Sequence, residues 1–276
     1  MQKEFQVTGP IEAEITLAAG DVVVETRPEG AVEVELVGHD EESQRLIEAA
    51  RVELQGSRLI VDVPQKRGRG FAIVFGRGGI DCRVRCLEGS SVAARTKSAD
   101  VTVHGTIAAL TAATASGDVR ADRSTGAVTA KTASGDVTVR DVGGPVTAQT
   151  ASGDVDLGTV HGTITVQTAS GDLTVDAAYG DVNANTVSGD QEHRAVLRGR
   201  VAAHSVSGDV TIGVRRGSKA FLDCSTVSGD TSSELDGLDG ATVDDGPLVE
   251  IRAQTVSGDI RIIRAHAPAT EEEVPA

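Results

Sequence analysis

The tripeptide Ser-Gly-Asp recurs eight times in this chain of 276 residues, and its spacing is the strongest constraint on the fold. The eight copies begin at Ser116, Ser134, Ser152, Ser170, Ser188, Ser207, Ser228 and Ser257. A degenerate ninth copy begins at Ser98, and each of the five steps from Ser98 to Ser188 is 18 residues long. A fixed period of this size is typical of a solenoid, in which each repeat is one structural unit.

Each repeat contains two turn points. In six of the eight copies a second glycine follows the Asp by eight or nine residues, at Gly126, Gly144, Gly162, Gly180, Gly199 and Gly217. Glycine adopts positive φ at little steric cost, and Ser and Asp bond to nearby backbone groups, so both places favour turns. Short alternating runs such as 137–139 and 146–148 lie between the turns. Every repeat is therefore predicted to form two short strands.

Two strands per repeat, joined without helices, can pair only with the equivalent strands of neighbouring repeats. The sequence thus predicts an all-β fold, a parallel β-solenoid of about 18 residues per coil, with coils about 4.8 Å apart. Aromatic residues make up only 2% of the chain, which suits a thin core of small side chains. The residue before each Ser-Gly-Asp is always apolar, so we expect a corner or bulge there. The expected inward residues are Val137, Val139, Val142, Val146 and Ala148.

The first 79 residues lack the 18-residue period and are predicted to form an irregular β-rich cap. Residues 22–26 and 31–37 resemble the two strands of a hairpin, and residues 41–52 resemble a helix with Asp40 as its N-cap. The predicted domains are the cap with its short helix and basic Gly/Arg loop at 1–79, the solenoid at 80–265 and a disordered acidic tail at 266–276.

The repeated run Val-Thr/Val-Ser-Gly-Asp-Val/Ile-x-Val, preceded by an irregular β-rich part, resembles the bacterial β-strand-repeat family labelled putative adhesin (domain of unknown function 4097). The resemblance covers about residues 12–264. It implies a β-solenoid and brings no catalytic residues that could be carried over. Residues 1–20 lack a basic segment followed by an apolar one, and the chain has no apolar run of 18 residues. We therefore expect a cytoplasmic protein without a membrane span.

The aspartates of the repeats form the sharpest chemical pattern. Stacked coils would place the residues of this Asp ladder about 4.8 Å apart, where like charges repel by roughly 1 kcal/mol in water. In one interpretation, each carboxylate accepts turn N–H groups and faces water. The alternative is a row of calcium or other cation sites, as in β-rolls, although those carry Asp in both half-turns. The ladder residues are Asp118, Asp136, Asp154, Asp172 and Asp190.

Other chemistries are disfavoured by the composition. The net charge of −15 would repel nucleic acid. A carbohydrate-active β-helix enzyme is the third interpretation, and it lacks support because the chain has no Trp and one Tyr, and no His recurs with the Ser-Gly-Asp turns. The three cysteines form no Cys-x-x-Cys pair, which suits a reducing compartment. We expect a protein that is not an enzyme and has no cofactor.

The loop at residues 66–79 is the predicted docking site. It places four basic residues around an apolar run, 71–75, on an otherwise acidic protein. Charge steers encounter and buried aromatic rings supply binding energy, so we expect this loop to bind a protein partner or a second copy. The alternatives are a solvated flexible loop, or a buried strand of the cap at 71–75 between mobile Arg and Gly residues. The candidate residues are Lys66, Arg67, Arg69, Phe71, Phe75 and Arg77. The expected function is a protein interaction or scaffolding module; the oligomeric state is left open.

Overall fold

The structure is a computed structural model that describes residues 1–64, 79–235 and 247–265. These residues form 25 strands and one short helix, and they divide into two compact units, residues 1–139 and 140–276. The helix, with eight residues, is too short to cross a membrane, and the described residues contain no other helix. The predicted all-β solenoid with a short N-terminal helix is confirmed.

The strands of the first unit are short and separated by turns. They are β1 (Gln2–Phe5), β2 (Glu12–Leu17), β3 (Asp21–Arg27), β4 (Val32–Gly38), β5 (Arg51–Gln55), β6 (Arg58–Asp62), β7 (Ile80–Leu87), β8 (Ser91–Thr96), β9 (Asp100–Ile107), β10 (Ala109–Ala113), β11 (Val119–Ser124) and β12 (Val128–Lys131). The helix α1 (Glu41–Glu48) lies between β4 and β5, and β13 (Val137–Val142) crosses the boundary between the units.

The second unit repeats one pattern of two strands per coil. Its strands are β14 (Val146–Ser152), β15 (Val155–Val160), β16 (Ile164–Ser170), β17 (Leu173–Ala178), β18 (Val182–Ser188), β19 (Gln191–Val196), β20 (Gly199–His204), β21 (Val210–Val214), β22 (Lys219–Ser228), β23 (Thr231–Ser233), β24 (Leu248–Ser257) and β25 (Ile260–Arg264).

Parallel coils in the first unit begin earlier than the repeat suggests. One sheet has the order β1-β4-β7-β3-β9-β11 and the other β12-β10-β8-β2-β6-β5. Strand β2 pairs in parallel with β6 and β8, and β3 pairs in parallel with β7 and β9. The antiparallel pairs are β1–β4, β4–β7 and β5–β6. The coil of residues 12–27 is thus part of the stack although it lacks the Ser-Gly-Asp motif.

The predicted hairpin of residues 22–26 and 31–37 is wrong in its pairing. Both strands form, as β3 and β4, but β7 lies between them and pairs with each. Val22 and Val24 of β3 align with Cys82 and Val84 of β7, and all four side chains are buried. A strand with the same alternation, distant in sequence, therefore displaces the local partner, because packing of side chains decides strand pairing.

The helix begins where the sequence predicts. Asp40 Oδ1 accepts a hydrogen bond from the Ser43 backbone N–H at 2.7 Å, and Ser43 Oγ accepts one from the Asp40 N–H at 3.0 Å. Such a capping box satisfies two of the free N–H groups of the first turn. The side chains of Ser43 and Ile47 lie on the buried face of the helix. The helix ends at Glu48, earlier than predicted.

The two sheets of the second unit are entirely parallel. We call the sheet of strands that follow Ser-Gly-Asp sheet 1, with the order β15-β17-β19-β21-β25-β23, and the sheet of strands that precede it sheet 2, with the order β14-β16-β18-β20-β24-β22. The last coil in sequence, formed by β24 and β25, lies between two coils that precede it in the chain. Strand β24 pairs with β20 and β22, and β25 pairs with β21 and β23. The coil of residues 219–233 therefore ends the stack although it precedes them in the chain.

The core consists of rows of small apolar side chains, one residue from each coil. All five residues that we expect to point inward are buried, with at most 1% of their surface exposed. The expected corner before Ser-Gly-Asp is present in some coils: the chain bends at residues 115–116 and 133–134 and at Val206, whereas β14, β16 and β18 continue through this position to the Ser. The apolar residue there faces solvent, as Ala151 does, while Thr150 before it is buried. Threonine suits this inward row because its hydroxyl bonds to the turn, as where Gly135 N–H donates to Thr132 Oγ1 at 3.0 Å. In sheet 1 the alternation is interrupted within the strands, as in β13, where Val139 and Val142 lie three residues apart and are both buried.

One coil of the second unit has a polar core. His193 occupies the row of Val175 and Ile212 and is 1% exposed. Neither ring nitrogen has a hydrogen-bond partner among the described residues, and burial lowers the pKa of His193 to about 4. Gln191, two residues earlier, donates from Nε2 to Thr186 Oγ1 at 3.0 Å. A buried imidazole without partners costs stability relative to an aliphatic side chain.

The turn glycines allow the coils to approach closely. Gly171 has a φ of +149°, and a Cβ added there would lie 2.1 Å from the carbonyl oxygen of Gly153 in the adjacent coil. We predict that Gly171→Ala destabilises the protein by more than about 3 kcal/mol in urea unfolding, because it combines backbone strain with a clash against backbone. Gly217, with a φ of +82° and open space around it, is the control, and Gly217→Ala should cost only about 1 kcal/mol. Equal costs would contradict the close-approach role.

Buried His193 is predicted to make stability depend on pH. Its pKa of about 4 in the folded protein lies below the usual 6.5, so the unfolded chain takes up a proton first as the pH falls. As the pH falls from 6.5 to 4, the contribution of His193 should lower the free energy of unfolding by up to about 3 kcal/mol. His193→Val, which copies Val175, should remove that part of the pH dependence in urea unfolding. The same pH dependence in both proteins would contradict this prediction.

Candidate functional site

The predicted docking residues cannot be compared with the structure. Lys66, Arg67, Arg69, Phe71, Phe75 and Arg77 all lie in 65–78, outside the described residues, and so does the predicted tail from residue 266 onward. The docking role of the loop stays a prediction.

The Asp ladder links each coil to the next. In the first unit, Asp118 and Asp136 donate their backbone N–H groups to Oδ1 of Asp100 and Asp118, both at 2.9 Å. The second unit repeats this contact at 2.8–2.9 Å along its stack, and the acceptors there are Asp154, Asp172, Asp190, Asp209 and Asp259. One carboxylate oxygen of each acceptor is therefore held by the backbone of the neighbouring coil.

This contact resolves the expected repulsion between the carboxylates. At the turn the chain crosses from one sheet to the other, and the aspartate side chain supplies the acceptor for the N–H group there. The hydrogen bond from the Asp136 N–H, with help from Arg120, holds the pKa of Asp118 below its usual value. The Asp230 N–H and Arg261 do the same for the pKa of Asp259. A hydrogen bond to the charged form stabilises that form, so the ladder works as a series of backbone caps.

The structure gives no direct support to the cation interpretation. Within the described ranges, no group of three or more His, Cys, Asp or Glu side chains is arranged to hold a metal ion. A shallow depression near the ladder is bordered by Asp172, Asp190 and Asp209, but Arg261 lies among them and contacts the Asp209 carboxylate at 3.5 Å. An arginine at this place partly neutralises the negative charge that would attract a cation.

The outward face of sheet 2 in the second unit carries parallel rows of like side chains. Gln149 and Gln167, which the sequence places outward, point to solvent, and Gln149 Nε2 donates to Gln167 Oε1 at 3.2 Å. Asn185 belongs to the same row, since it pairs in register with Gln167. This amide row runs along the middle of the face.

A row of exposed valines lies beside the amide row. It consists of the residues before Ser-Gly-Asp in four adjacent coils, and we call it the valine row. Its exposed fractions are 53% for Val187, 49% for Val206, 49% for Val256 and 82% for Val227. Because adjacent strands are about 4.8 Å apart, the row is about 14 Å long. Single exposed valines are common, but a contiguous apolar row indicates an interaction surface.

A groove lies on the same face near its last strands. It encloses about 380 Å³ and contains the exposed ring of Phe221, which is 63% exposed. Two ion pairs border it, Arg200 with Glu250 at 2.8 Å and Arg252 with Asp223 at 3.0 Å. The complete lining is Arg200, Ala202, His204, Phe221, Asp223, Glu250, Ile251 and Arg252. An aromatic side chain among satisfied charges is a typical feature of a protein-binding surface.

The first unit presents a different outward surface. On β3, β4 and β7, Arg85 contacts Glu25 at 2.9 Å and Glu33 at 3.0 Å, and Arg27 contacts Glu33 at 3.0 Å. The Arg85 guanidinium lowers the pKa of Glu25. At the position of the valine row, this unit carries Ala115 and Ala133, which are also exposed. Its surface is thus charged and self-paired, with small apolar groups.

The cysteines are not placed for reactivity. Cys82 and Cys86 are buried, and burial raises the pKa of Cys82 to about 12 and raises that of Cys86. Cys224 is half-buried, and burial raises its pKa as well. Since the thiolate is the nucleophile, thiols with raised pKa values react slowly at neutral pH.

The valine row and the groove were not identified from the sequence. The sequence shows that the residue before Ser-Gly-Asp is always apolar, but alternation alone places it at a corner rather than in solvent. Its change from alanine to valine along the chain was the available signal. Phe221 had no comparable signal, because the coil that contains it departs from the 18-residue period.

The fold defines a protein built from stacked parallel coils, a β-solenoid repeat protein. The family described as Toastrack DUF4097 matches residues 12–263, so this chain belongs to that family, which confirms the resemblance. None of the curated proteins matches the chain.

Two solved structures are similar to this chain. A putative adhesin from Bacteroides fragilis is 11% identical, with a TM-score of 0.47, and the match covers 95% of this chain and 96% of that one. A putative lipid binding protein from Parabacteroides distasonis is 15% identical, with a TM-score of 0.50 and 96% of both chains covered. Likeness at this level of identity concerns the fold alone.

The capping role of the Asp ladder can be tested at Asp172. We predict that Asp172→Ala lowers the free energy of unfolding by ~1–2 kcal/mol, because the Asp190 N–H loses its acceptor. Asp172→Asn keeps an accepting oxygen and should cost less. Urea unfolding at neutral pH measures both variants, and millimolar calcium should change the wild-type melting temperature by no more than about one degree. A large stabilisation by calcium would favour the cation interpretation instead.

Proposed function

We propose that this chain is a non-enzymatic, cytoplasmic interaction or scaffolding module that binds a protein partner through the outward face of sheet 2 in its second unit. Membership of the Toastrack family fits a binding or scaffold role. The observation that carries the proposal is the valine row, four exposed valines in adjacent coils.

The physical argument rests on contiguity. Covering these side chains with a partner removes apolar surface from water, which stabilises a complex by roughly 25 cal/mol per Å² before the costs of association. The amide row beside the valines offers hydrogen-bonding groups at regular spacing, as a polar rim does. Beneath Val187, Val206 and Val256, the backbone strands are paired on both sides, so little order has to be gained there on binding.

Two further observations support the remaining parts of the proposal. The thiols of Cys82 and Cys86 are buried with raised pKa values, which favours structural cysteines over nucleophilic ones. All three cysteines are free, as is usual in a reducing compartment. The cation alternative is less supported, because the ladder carboxylates already accept backbone hydrogen bonds.

The test replaces the valine row without changing the strands. The variant Val187→Thr/Val206→Thr/Val256→Thr keeps β-branched side chains of similar size but adds hydroxyl groups. Immobilised wild-type protein and variant are compared for the proteins they retain from a native lysate, and each candidate is then purified and titrated. We expect at least a tenfold weaker affinity for the variant, the loss of about 1.4 kcal/mol.

The control introduces the same residue, threonine, at equivalent exposed positions elsewhere. Ala115→Thr/Ala133→Thr adds threonine at the equivalent exposed position of the first unit and should leave the affinity unchanged. If the valine variant and the control bind a purified partner equally well, or if the wild type binds none, the valine row is not the binding site.

A further inference from the structure

The coil that ends the second unit leaves a long strand at the edge of sheet 2. Strand β22 has ten residues and pairs only with β24 among the described residues. None of its ten side chains is fully buried, whereas β24 buries Val249, Ile251, Ala253 and Thr255. An edge strand presents unpaired backbone N–H and C=O groups along its length.

The core rows of the solenoid continue into this edge. Leu222, Cys224 and Thr226 pair in register with Ile251, Ala253 and Thr255, but each remains half-buried. A further strand paired to β22 would cover them in the way that β22 covers β24. Among the described residues, the core of the second unit is therefore one strand short of closure at this edge.

Strand β22 also lacks the features that usually protect edges. Proline, inward-pointing charge, bulges and short length prevent pairing with other chains. The edge strands of the first unit are short: β1 has four residues and β5 has five. Strand β22 has ten residues, its two charged residues, Lys219 and Asp223, lie on the outward face, and it contains no proline.

We propose that β22 pairs antiparallel with β22 of a second copy of this chain and so forms a two-fold symmetric dimer. Directly opposite residues of an antiparallel pair point to the same side. The symmetry axis must therefore pass through one residue that faces its own copy, and the choice of that residue sets the register.

The side chains select one register. An axis at Asp223 places two carboxylates opposite each other, which is destabilising. An axis at Leu222 leaves Val227 beyond the paired region. An axis at Cys224 places Phe221 opposite Val227 on the outward face and Leu222 opposite Thr226 in the core, and it pairs residues 220–228. Cys224 then faces Cys224 of the second copy.

Dimerisation does not require the valine-row partner. The end-to-end contact uses the edge of sheet 2, whereas the Val→Thr variant changes residues on the strands behind it. That variant should leave the dimer intact, so the two proposals fail separately.

Cys224 serves as the reporter. The full-length reduced protein is treated with N-ethylmaleimide, which adds to accessible thiols, at a series of protein concentrations. A strand paired to β22 covers Cys224, so we expect Cys224 to react at least tenfold more slowly at concentrations where the dimer forms than at dilution. Buried Cys82 and Cys86 should remain unmodified throughout, as peptide mass analysis will show. Cys224→Ser should keep the dimer in sedimentation velocity.

A pair of matched variants tests the interface itself. Phe221→Lys changes a side chain that is 63% exposed in the single chain and should weaken dimerisation at least tenfold in sedimentation. Val187→Lys introduces the same charge at a residue that is 53% exposed on β18, three strands from the edge strand β22, and should have no effect. A monomer at high micromolar concentration, or a dimer in which Cys224 reacts as fast as in the monomer, would overturn the proposal.

Discussion

The contact between successive coils at the Ser-Gly-Asp turn is the constraint on which the rest of the structure depends. Here one coil approaches the next so closely that a Cβ on Gly171 would lie 2.1 Å from a carbonyl oxygen. The same approach brings the backbone N–H of Asp190 to 2.8 Å from the Asp172 carboxylate. Glycine allows the distance and aspartate satisfies the N–H group, so the two residues recur together.

Stacking in register turns each position of the repeat into a row. A residue buried in one coil is buried in the next, which is why a thin core of valine and alanine suffices. The surface follows the same rule, so its chemistry changes only where a row changes. The exposed row is alanine in the first unit and valine over the last coils of the second, and that change provides the proposed binding surface. Where the rows end, at β22, they leave the edge proposed to pair with a second copy.

Features that depend on neighbouring residues in the sequence were predicted correctly. The inward valines, the Asp40 cap and the parallel pairing of the repeats followed from periodicity and turn residues, and the structure confirms them. The hairpin of β3 and β4 was wrong because β7, which lies far away in sequence, packs between them. The apolar residue before Ser-Gly-Asp was expected at a corner, and its exposure to solvent was not predicted. Alternation shows which face a side chain is on only if the point where the strand bends is known. His193 shows the opposite case, a polar residue that the stack buries in a row of aliphatic ones.

One 18-residue period was enough to predict the length of the coil, its two turns, its parallel pairing and its inward side chains, because each of these depends on residues within that period. Which coils are neighbours became known from the folded chain, as where β24 pairs between β20 and β22. The tertiary structure also decided which apolar residues remain in water and where the stack ends. Pairing between distant strands depends on the summed packing of whole faces, and no single repeat contains that information.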